Sequence, residues 1–399
     1  MLLLLLIAQS IALVVLIGRL LPGRTRRPPV LPIQDTGPPR VSVLLPTYNE
    51  VKRVGPCLEG LMQQGSTVRE ILVIDGNSAD GTAGLVHAAS ARDARARVVQ
   101  EPPLPNAWIG KVWALQHGLE NASGDWVLNV DADIEPRAGM VAAALQAAED
   151  LNLQAVSFSP CFAGQTAAEQ WLQSALLLTL VYRGGAVGRD GLAPAGRVMA
   201  NGQCFLIKRD VLVANGGYAT ARASFADDVT LARHLARRGV RVGFLDGSRL
   251  FRVRSYESLG QMWREWGRSI DLKDATTPLR LTADVALLSL VQAAPIIVLA
   301  LYATGVWAAH GGASSFLLAA NTLLLVIRAA MLGALAGSYD RLRWTYWLSP
   351  LADPIAVLRI ALSALRRPKV WRGRRYGGLV TAPNAAGPLR STRERRRQL

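Results

Sequence analysis

Short apolar runs alternate with helically spaced apolar residues through the middle of the chain. Three runs are typical of buried strands that end at polar or turn-forming residues: VSVLLP at 41–46, EILVID at 70–75 and RARVVQ at 95–100. The same pattern continues with a predicted helix over 111–122 and a fourth strand over 125–134. Strands alternating with helices at this spacing predict an α/β fold, with a mostly parallel mixed sheet and helices on both of its faces.

Longer apolar runs lie towards both ends of the chain. Three of them are long enough to cross a bilayer as helices, namely 2–21, 283–307 and 314–337. No basic residue precedes the first run and no small-x-small site follows it, so we expect a retained helix rather than a cleaved signal peptide. A fourth run at 344–364 is broken by two prolines and an aspartate, which predicts a re-entrant or interfacial segment.

Basic residues flank these runs and predict their orientation. Arg24, Arg26 and Arg27 follow the first run, and the C-terminal tail is strongly basic. By the positive-inside rule, the N-terminus lies outside and both the central domain and the tail lie in the cytosol. One inward crossing and two later crossings satisfy this rule. We therefore expect a multi-pass protein of the plasma membrane or cell inner membrane.

The predicted organisation has seven parts. They are an N-terminal transmembrane helix at 1–22, a linker at 23–40, a cytosolic α/β domain at 41–250, interfacial helices at 251–280, two transmembrane helices at 281–337, a re-entrant or interfacial segment at 338–376, and a basic, disordered tail at 377–399.

The composition of the chain indicates which class of partner it binds. The chain has 399 residues, a net charge of +16 and 50% hydrophobic residues. A basic, apolar-rich chain fits nucleic acid or an anionic membrane surface, and the long apolar runs favour the membrane. We expect no nucleic-acid partner. The three cysteines have no metal-ligand spacing and predict no disulfide.

Acidic residues follow two of the predicted strands. Asp131 and Asp133 come at the end of WVLNVDADI, and Asp75 ends the strand before GNSADGT. Ligands bind beyond the carboxyl ends of such strands, and paired carboxylates suit Mg²⁺ or Mn²⁺ together with substrate phosphates. The alternatives are a solvated carboxylate pair and ordinary turn chemistry.

Two downstream segments also carry candidate chemistry. Asp228 begins a basic helix, where a carboxylate either caps the helix or acts as a general base if it faces a cleft. Arg264 belongs to a segment rich in Trp and Arg at 255–269. That segment fits either an interfacial aromatic belt or neutralisation of a leaving pyrophosphate.

Taken in order, several stretches resemble an inverting family-2 glycosyltransferase with a GT-A fold. They are VSVLLPTYNE, ILVIDGNSADGT, WIGK, VDADI, NGQCFLIKRDV, FADDVTLARHL and QMWREW, which together cover about 41–270. The chain is most similar to the branch of ceramide, hopanoid-associated and bacterial carotenoid glycosyltransferases. It shares their WxGK-WAL pattern from Trp108 and their C-terminal W-x-G-R-x-Y pattern from Trp371 to Tyr376.

The resemblance implies roles for matching residues. Asp228 would be the catalytic base and Arg264 would act on the diphosphate. Asp131 and Asp133 would hold Mg²⁺ or Mn²⁺, with Asp131 also near the ribose. The remaining donor-binding residues would be Pro46, Glu50, Asp75, Lys111, Gln261 and Trp266. Glu265 stands where the family's Q-x-x-R-W pattern has its Trp, which argues against a processive polymerase.

The implied activity is transfer of a hexose from a UDP-sugar, with UDP-glucose expected, to a hydroxyl of a membrane lipid such as a carotenoid or another isoprenoid. Two alternatives remain open. One is a polyprenyl-phosphate sugar synthase, whose anionic acceptor needs no strong base. The other is a non-enzymatic, basic lipid-binding membrane protein.

Overall fold

The main sheet of the protein has seven strands. The computed structural model describes residues 2–163, 166–254, 256, 258–270, 272–307, 311–365, 370–371 and 374–376. All strands in the described residues, including those of two smaller sheets, are β1 Val41–Thr47, β2 Val68–Asp75, β3 Ala96–Gln100, β4 Trp126–Val130, β5 Ile134–Pro136, β6 Ala155–Ser159, β7 Cys161–Phe162, β8 Cys204–Lys208, β9 Val242–Asp246, β10 Phe251–Val253, β11 Val370–Trp371 and β12 Arg374–Arg375. The main sheet has the order β3-β2-β1-β4-β8-β6-β9.

This sheet is mixed, as predicted. β8 runs antiparallel to both β4 and β6, and the other neighbouring strands pair in parallel. A small second sheet has the order β5-β10-β7, and β11 pairs with β12 as a hairpin. The parallel strands β1, β2 and β4 end at the same edge, which is where the candidate site forms.

Helices cover both faces of the sheet. The helices are α1 Leu2–Leu20, α2 Val54–Met62, α3 Thr82–Arg92, α4 Gly110–Asn121, α5 Met140–Asp150, α6 Ala167–Gly184, α7 Arg209–Ala214, α8 Asp227–Arg237, α9 Leu259–Ser269, α10 Pro278–Leu288, α11 Ala294–Ala303, α12 Gly312–Leu335, α13 Trp344–Trp347 and α14 Asp353–Leu365. One core cluster joins the sheet to α2, α3 and α5, and another joins it to α4, α7 and α8. The predicted two-faced arrangement is confirmed.

The fourth predicted strand is shorter than its sequence suggested. β4 ends at Val130, and Asp131 to Asp133 form a turn before β5. β4 is buried throughout, whereas the carboxylates of Asp131 and Asp133 need polar surroundings. The two aspartates therefore lie in a turn rather than on one face of a continuous strand.

Three helical segments are long and apolar enough to cross a membrane: Leu2–Thr25, Pro278–Ala303 and Gly312–Ser338. The second is continuous from α10 through one π-helical turn into α11. These segments match the three predicted spans. The sides on which their ends lie, and the re-entrant placement of 344–364, remain predictions. The basic tail at 377–399 lies outside the described residues.

Helix α6 was not anticipated from the sequence. It belongs to the stretch assigned to the cytosolic domain, yet Leu172, Leu176 and Tyr182 pack in one cluster with α1, α12 and α14. A Thr166–Glu169 capping box begins the helix. α6 thus connects the sheet domain to the candidate membrane helices.

Arg328, a charged residue inside the third candidate span, forms an ion pair. Arg328 Nε donates to Asp353 Oδ2 at 2.7 Å, and both side chains are 3% exposed. Ser349 and Gln292 add hydrogen bonds to the same pair. Arg328 is thus held in a buried ion pair and does not line the cavity described below.

Candidate active site

The first wall of the site forms where β1 and β2 end side by side. Their parallel register places Thr47 opposite Asp75, and the Thr47 hydroxyl donates to Asp75 Oδ1 at 3.0 Å. Ser78 donates to the same carboxylate from its backbone N–H at 2.9 Å and from its hydroxyl at 2.6 Å. Asp75 is 4% exposed and lies behind the cavity, whereas Thr47 lines it. Asp75 therefore holds the loop that carries the lining residues.

The loop after β1 supplies two of the predicted donor-binding residues. Pro46 and Glu50 both line the cavity. The Glu50 N–H donates to Thr82 Oγ1 at 2.9 Å, and Asn49 has a left-handed backbone with φ of 54°. Asn tolerates this conformation better than most residues do. The bend after β1 turns Glu50 towards the cavity.

Lys111 and Asp131 form an ion pair at the edge of the sheet. Lys111 lies in the first turn of α4, and its Nζ is 2.7 Å from Asp131 Oδ1. Both residues line the cavity. Burial lowers the pKa of Lys111, but Asp131, Asp227 and Asp228 raise it more, so its pKa lies above the ordinary value. Lys111 therefore stays protonated at neutral pH.

Asp133 faces the same cavity from the turn that also carries Asp131. Gln203, directly before β8, donates from Nε2 to Asp133 Oδ1 at 3.4 Å. The described residues contain no group of three His, Cys, Asp or Glu side chains that could enclose a metal ion. Mg²⁺ and Mn²⁺ sites commonly use one or two carboxylates and are completed by substrate phosphates. Asp131 and Asp133 fit that kind of open site.

Asp228 is fixed at the N-terminus of α8. Gly202 donates its backbone N–H to Asp228 Oδ2 at 2.8 Å, and the Val229 N–H donates to Oδ1 at 2.7 Å. A Cβ atom added at Gly202 would lie 2.9 Å from Lys111 Nζ and 3.5 Å from Asp228 Cβ. The absence of a side chain at Gly202 thus lets the ammonium and the carboxylate approach one another.

The electrostatics of Asp228 suit a proton acceptor. Burial raises the pKa of its carboxyl, Asp227 raises it further, and Lys111 lowers it, which leaves the pKa at about 7. A general base works best when its pKa lies near the operating pH. Asp228 and Asp133 line one cavity, while Asp75 contacts that cavity only through Thr47.

Helix α9 presents one side to the cavity. Gln261, Trp266 and Arg268 line the cavity, while Arg264 is exposed and lies outside its lining. Arg268 Nη2 is 2.5 Å from Glu265 Oε2. The structure therefore does not bring Arg264 together with the other predicted site residues. Arg268, one helical turn after Arg264 on α9, is the arginine of this helix that lines the cavity.

Several polar residues that line the cavity had no predicted role in the site. They are Arg53, Glu101, Asn201, Gln203, Asp227, Arg268 and Tyr376. Glu101 directly follows β3, so the strand-end rule that selected Asp75 would have selected it too. Tyr376 belongs to the C-terminal W-x-G-R-x-Y pattern. Its hydroxyl accepts from the Gly110 N–H at 3.3 Å, and its ring packs edge-on against Phe225.

The cavity has a volume of about 780 Å³ and two chemically different ends. Its polar end contains Lys111, Asp131, Asp133 and Asp228. Its other end is lined by apolar side chains of α1, α6 and α12, which are Ile17 and Leu20, Leu177, Leu180 and Val181, and Ile327, Met331, Ala334 and Leu335. One continuous space therefore joins the strand ends to the candidate membrane helices.

Comparison with known proteins supports this interpretation. Residues 42–214 match the sequence model described as "Glycosyl transferase family 2". The chain is 37% identical over 97 residues to a 4,4'-diaponeurosporenoate glycosyltransferase of Staphylococcus haemolyticus, covering 24% of each protein. It is 34% identical over 98 residues to an undecaprenyl-phosphate 4-deoxy-4-formamido-L-arabinose transferase of Pseudomonas aeruginosa, covering 24% of this chain and 28% of that one. These matches span only about a quarter of the relatives' length.

A solved structure extends the likeness in fold over nearly the whole chain. The mannosyltransferase PcManGT from Pyrobaculum calidifontis, solved with GDP-Man and Mn²⁺, aligns with a TM-score of 0.53 at 20% identity. The alignment covers 92% of this chain and 99% of that one. The GT-A fold expected from the sequence is thereby confirmed. The sequence match thus places residues 42–214 among the family-2 glycosyltransferase domains.

Proposed function

We propose that the protein transfers a hexose from a UDP-sugar, with UDP-glucose as the first candidate, to a hydroxyl group of a membrane lipid. The observation that carries this proposal is the cavity with one charged end and one apolar end. A nucleotide-sugar is soluble in water and a lipid acceptor is not, so the enzyme must bring them together at the bilayer surface. The relative named as a 4,4'-diaponeurosporenoate glycosyltransferase supports an isoprenoid lipid, such as a carotenoid, as acceptor.

Asp228 is the proposed base. Its carboxylate accepts the proton of the acceptor hydroxyl while that oxygen forms a bond to the anomeric carbon of the sugar. The bond from this carbon to the diphosphate oxygen breaks at the same time, and its electron pair leaves with the nucleoside diphosphate. The attack comes from the face opposite to the leaving group, so a single displacement inverts the anomeric configuration.

Positive charge at the polar end stabilises the departing diphosphate. Lys111 supplies a buried ammonium there, and we assign a second cationic role to Arg268 instead of Arg264 because Arg268 lines the cavity. Asp131 and Asp133 are the proposed ligands of Mg²⁺ or Mn²⁺. The ion, when bound, supplies further positive charge next to the phosphates. Preorganised positive charge of this kind is among the largest contributions to catalysis in transfer reactions.

A polyprenyl-phosphate acceptor is the second candidate. The undecaprenyl-phosphate relative supports it, and so do Arg24 and Arg26, which line the cavity close to the end of α1. A phosphate acceptor is already anionic and requires no base, so Asp228→Asn would retain most activity. A hydroxyl acceptor requires the base, and the raised pKa of Asp228 favours that chemistry. The family assignment argues against a non-enzymatic lipid-binding protein.

We also propose that the sheet domain and the cavity lie on the cytosolic side of the plasma membrane or cell inner membrane. Support comes from the three candidate spans and from the basic residues that follow the first of them. In this arrangement the donor reaches the polar end from the cytosol, and the acceptor reaches the apolar end from the inner leaflet.

Mass spectrometry of lipid extracts tests the proposal in cells. A strain lacking the gene should lose one or more lipid species that carry a hexose, and the intact gene should restore them. The Asp228→Ala gene should not restore them. Identical lipid profiles with and without the gene would contradict the lipid-acceptor assignment.

A further inference from the structure

The apolar end of the cavity is built from three helix faces. On the first candidate span, Leu2–Thr25, the lining residues are Ile17, Leu20 and Leu21, on α6 they are Leu177, Leu180 and Val181, and on α12 they are Ile327, Met331, Ala334 and Leu335. Each set follows helical spacing of three and four residues, so each belongs to one face of its helix. None of these ten residues carries a charge. We call this part of the cavity the tail groove.

These faces border the faces that hold the helices together, and most of their residues also pack, partly buried, against the core of the bundle. On α12, Leu324, Arg328 and Leu332 are buried in the bundle, whereas Ile327 and Met331 are only partly buried. Protein interiors are normally filled to the density of organic crystals. The helices therefore pack through one side and leave adjoining apolar surface in contact with the cavity.

The tail groove also reaches the outer surface of the bundle. Ile17 and Leu21 line the cavity and are 41% and 46% exposed. Both belong to the first candidate span, at the end that is followed by arginines. Such arginines mark the boundary between hydrocarbon and water. This is where a chain lying in the bilayer can enter the cavity without crossing water.

We propose that the tail groove holds the hydrocarbon chain of the lipid acceptor, which enters beside α1 and presents its hydroxyl to Asp228. This inference rests on the proposed function. The bilayer interior is as apolar as the groove, so moving the chain between them yields little free energy. The groove therefore acts mainly by orienting the acceptor, which fixes the distance from its hydroxyl to the base.

Filling the groove with a larger side chain tests this inference. Ile327→Trp and Met331→Trp place an indole in the groove, and Val326→Trp is the matched control because Val326 is 59% exposed and outside the cavity lining. The full chain is reconstituted in nanodiscs with a total lipid extract, Mn²⁺ and radiolabelled UDP-glucose. Label in the lipid phase measures sugar transfer. Calorimetric titration with UDP and Mn²⁺ measures nucleotide binding at the polar end of the cavity.

We expect both groove variants to lower lipid labelling by about tenfold or more, since a packed site tolerates added volume poorly. UDP binding should be unchanged in both, and Val326→Trp should match the unmodified protein. Equal labelling in the groove variants and the control would overturn the inference. If the unmodified protein binds UDP but labels no lipid, the proposed function itself fails. Should a groove variant lose UDP binding, Val181→Phe on α6 replaces it in the same comparison.

Discussion

The Nζ atom of Lys111 lies 2.7 Å from Oδ1 of Asp131, and the same ammonium lowers the pKa of Asp228. One lysine therefore connects the turn that carries the proposed metal ligands with the proposed base. Replacing Lys111 with Met should raise the pKa of Asp228, because the positive charge that favours its ionised form is gone. The acidic limb of the transfer rate should move to higher pH by about one unit or more. A pH profile of kcat measures this, with Lys111→Arg as the charge-preserving control. If the acidic limb of the pH profile does not move in Lys111→Met, the charge of Lys111 does not set the pKa of Asp228.

The pKa of about 7 at Asp228 makes opposite predictions for activity and stability. Because the folded-state pKa is raised, ionisation of Asp228 destabilises the fold as the pH rises from about 4 through about 7. Asp228→Asn should thus raise the thermal unfolding temperature at pH 8, with a smaller gain at pH 5. The same substitution should lower transfer by about 10²-fold or more. Thermal scans at both pH values and initial rates provide the readouts. A variant that is active, or less stable at pH 8, would contradict the assignment.

Arg264 and Arg268 form a natural pair for mutagenesis because they lie one turn apart on α9. Arg268→Ala should reduce kcat by about 10²-fold, the usual effect of removing one group that stabilises developing negative charge. Arg264→Ala should stay within about threefold of the unmodified protein, since exposed substitutions are mostly mild. Glu265→Gln controls for loss of the partner of Arg268. A larger loss of kcat in Arg264→Ala than in Arg268→Ala would support the role first predicted for Arg264.

The Arg328–Asp353 pair should matter for folding rather than for chemistry. Asp353→Ala leaves a buried guanidinium without its carboxylate, which typically costs about 3–5 kcal/mol. Unfolding in detergent should therefore occur at a clearly lower temperature. The double substitution Arg328→Met with Asp353→Leu should recover most of that loss, because it removes both charges. Rates per folded molecule should not change. A stable Asp353→Ala variant would show that the pair contributes little.

The strands that flank the site were predictable because their signals are local. β1 and β2 are short, β-branched apolar runs that end at a turn, and the carboxyl end of β2 identified Asp75 as a candidate. The family resemblance added Pro46 and Glu50. The rotation of α9 was not predictable. Arg359 Nε donates to the Trp263 backbone oxygen and Ser363 Oγ donates to the Gly267 oxygen, so α14 fixes which side of α9 faces the cavity. These contacts join residues 96 positions apart and leave no local pattern.

Helix α6 illustrates a second limit of sequence reasoning. Its apolar residues are interrupted by Gln170, Gln173 and Thr179, so the segment looks like part of a soluble domain. In the fold Gln170 donates to the Arg341 backbone oxygen, and the Thr179 hydroxyl donates to the Leu176 oxygen. These bonds satisfy polar groups that would otherwise be costly to bury. The apolar end of the cavity could not be foreseen without this helix.

Sugar transfer by the purified chain is the most direct test of the proposed function. The full-length protein in nanodiscs is given radiolabelled UDP-glucose, a total lipid extract and Mn²⁺, and the organic phase is counted and analysed by mass spectrometry. We expect a labelled lipid that gains one hexose, with no label after EDTA treatment or in Asp133→Ala. Continued labelling of lipid by Asp133→Ala in the presence of EDTA would contradict it.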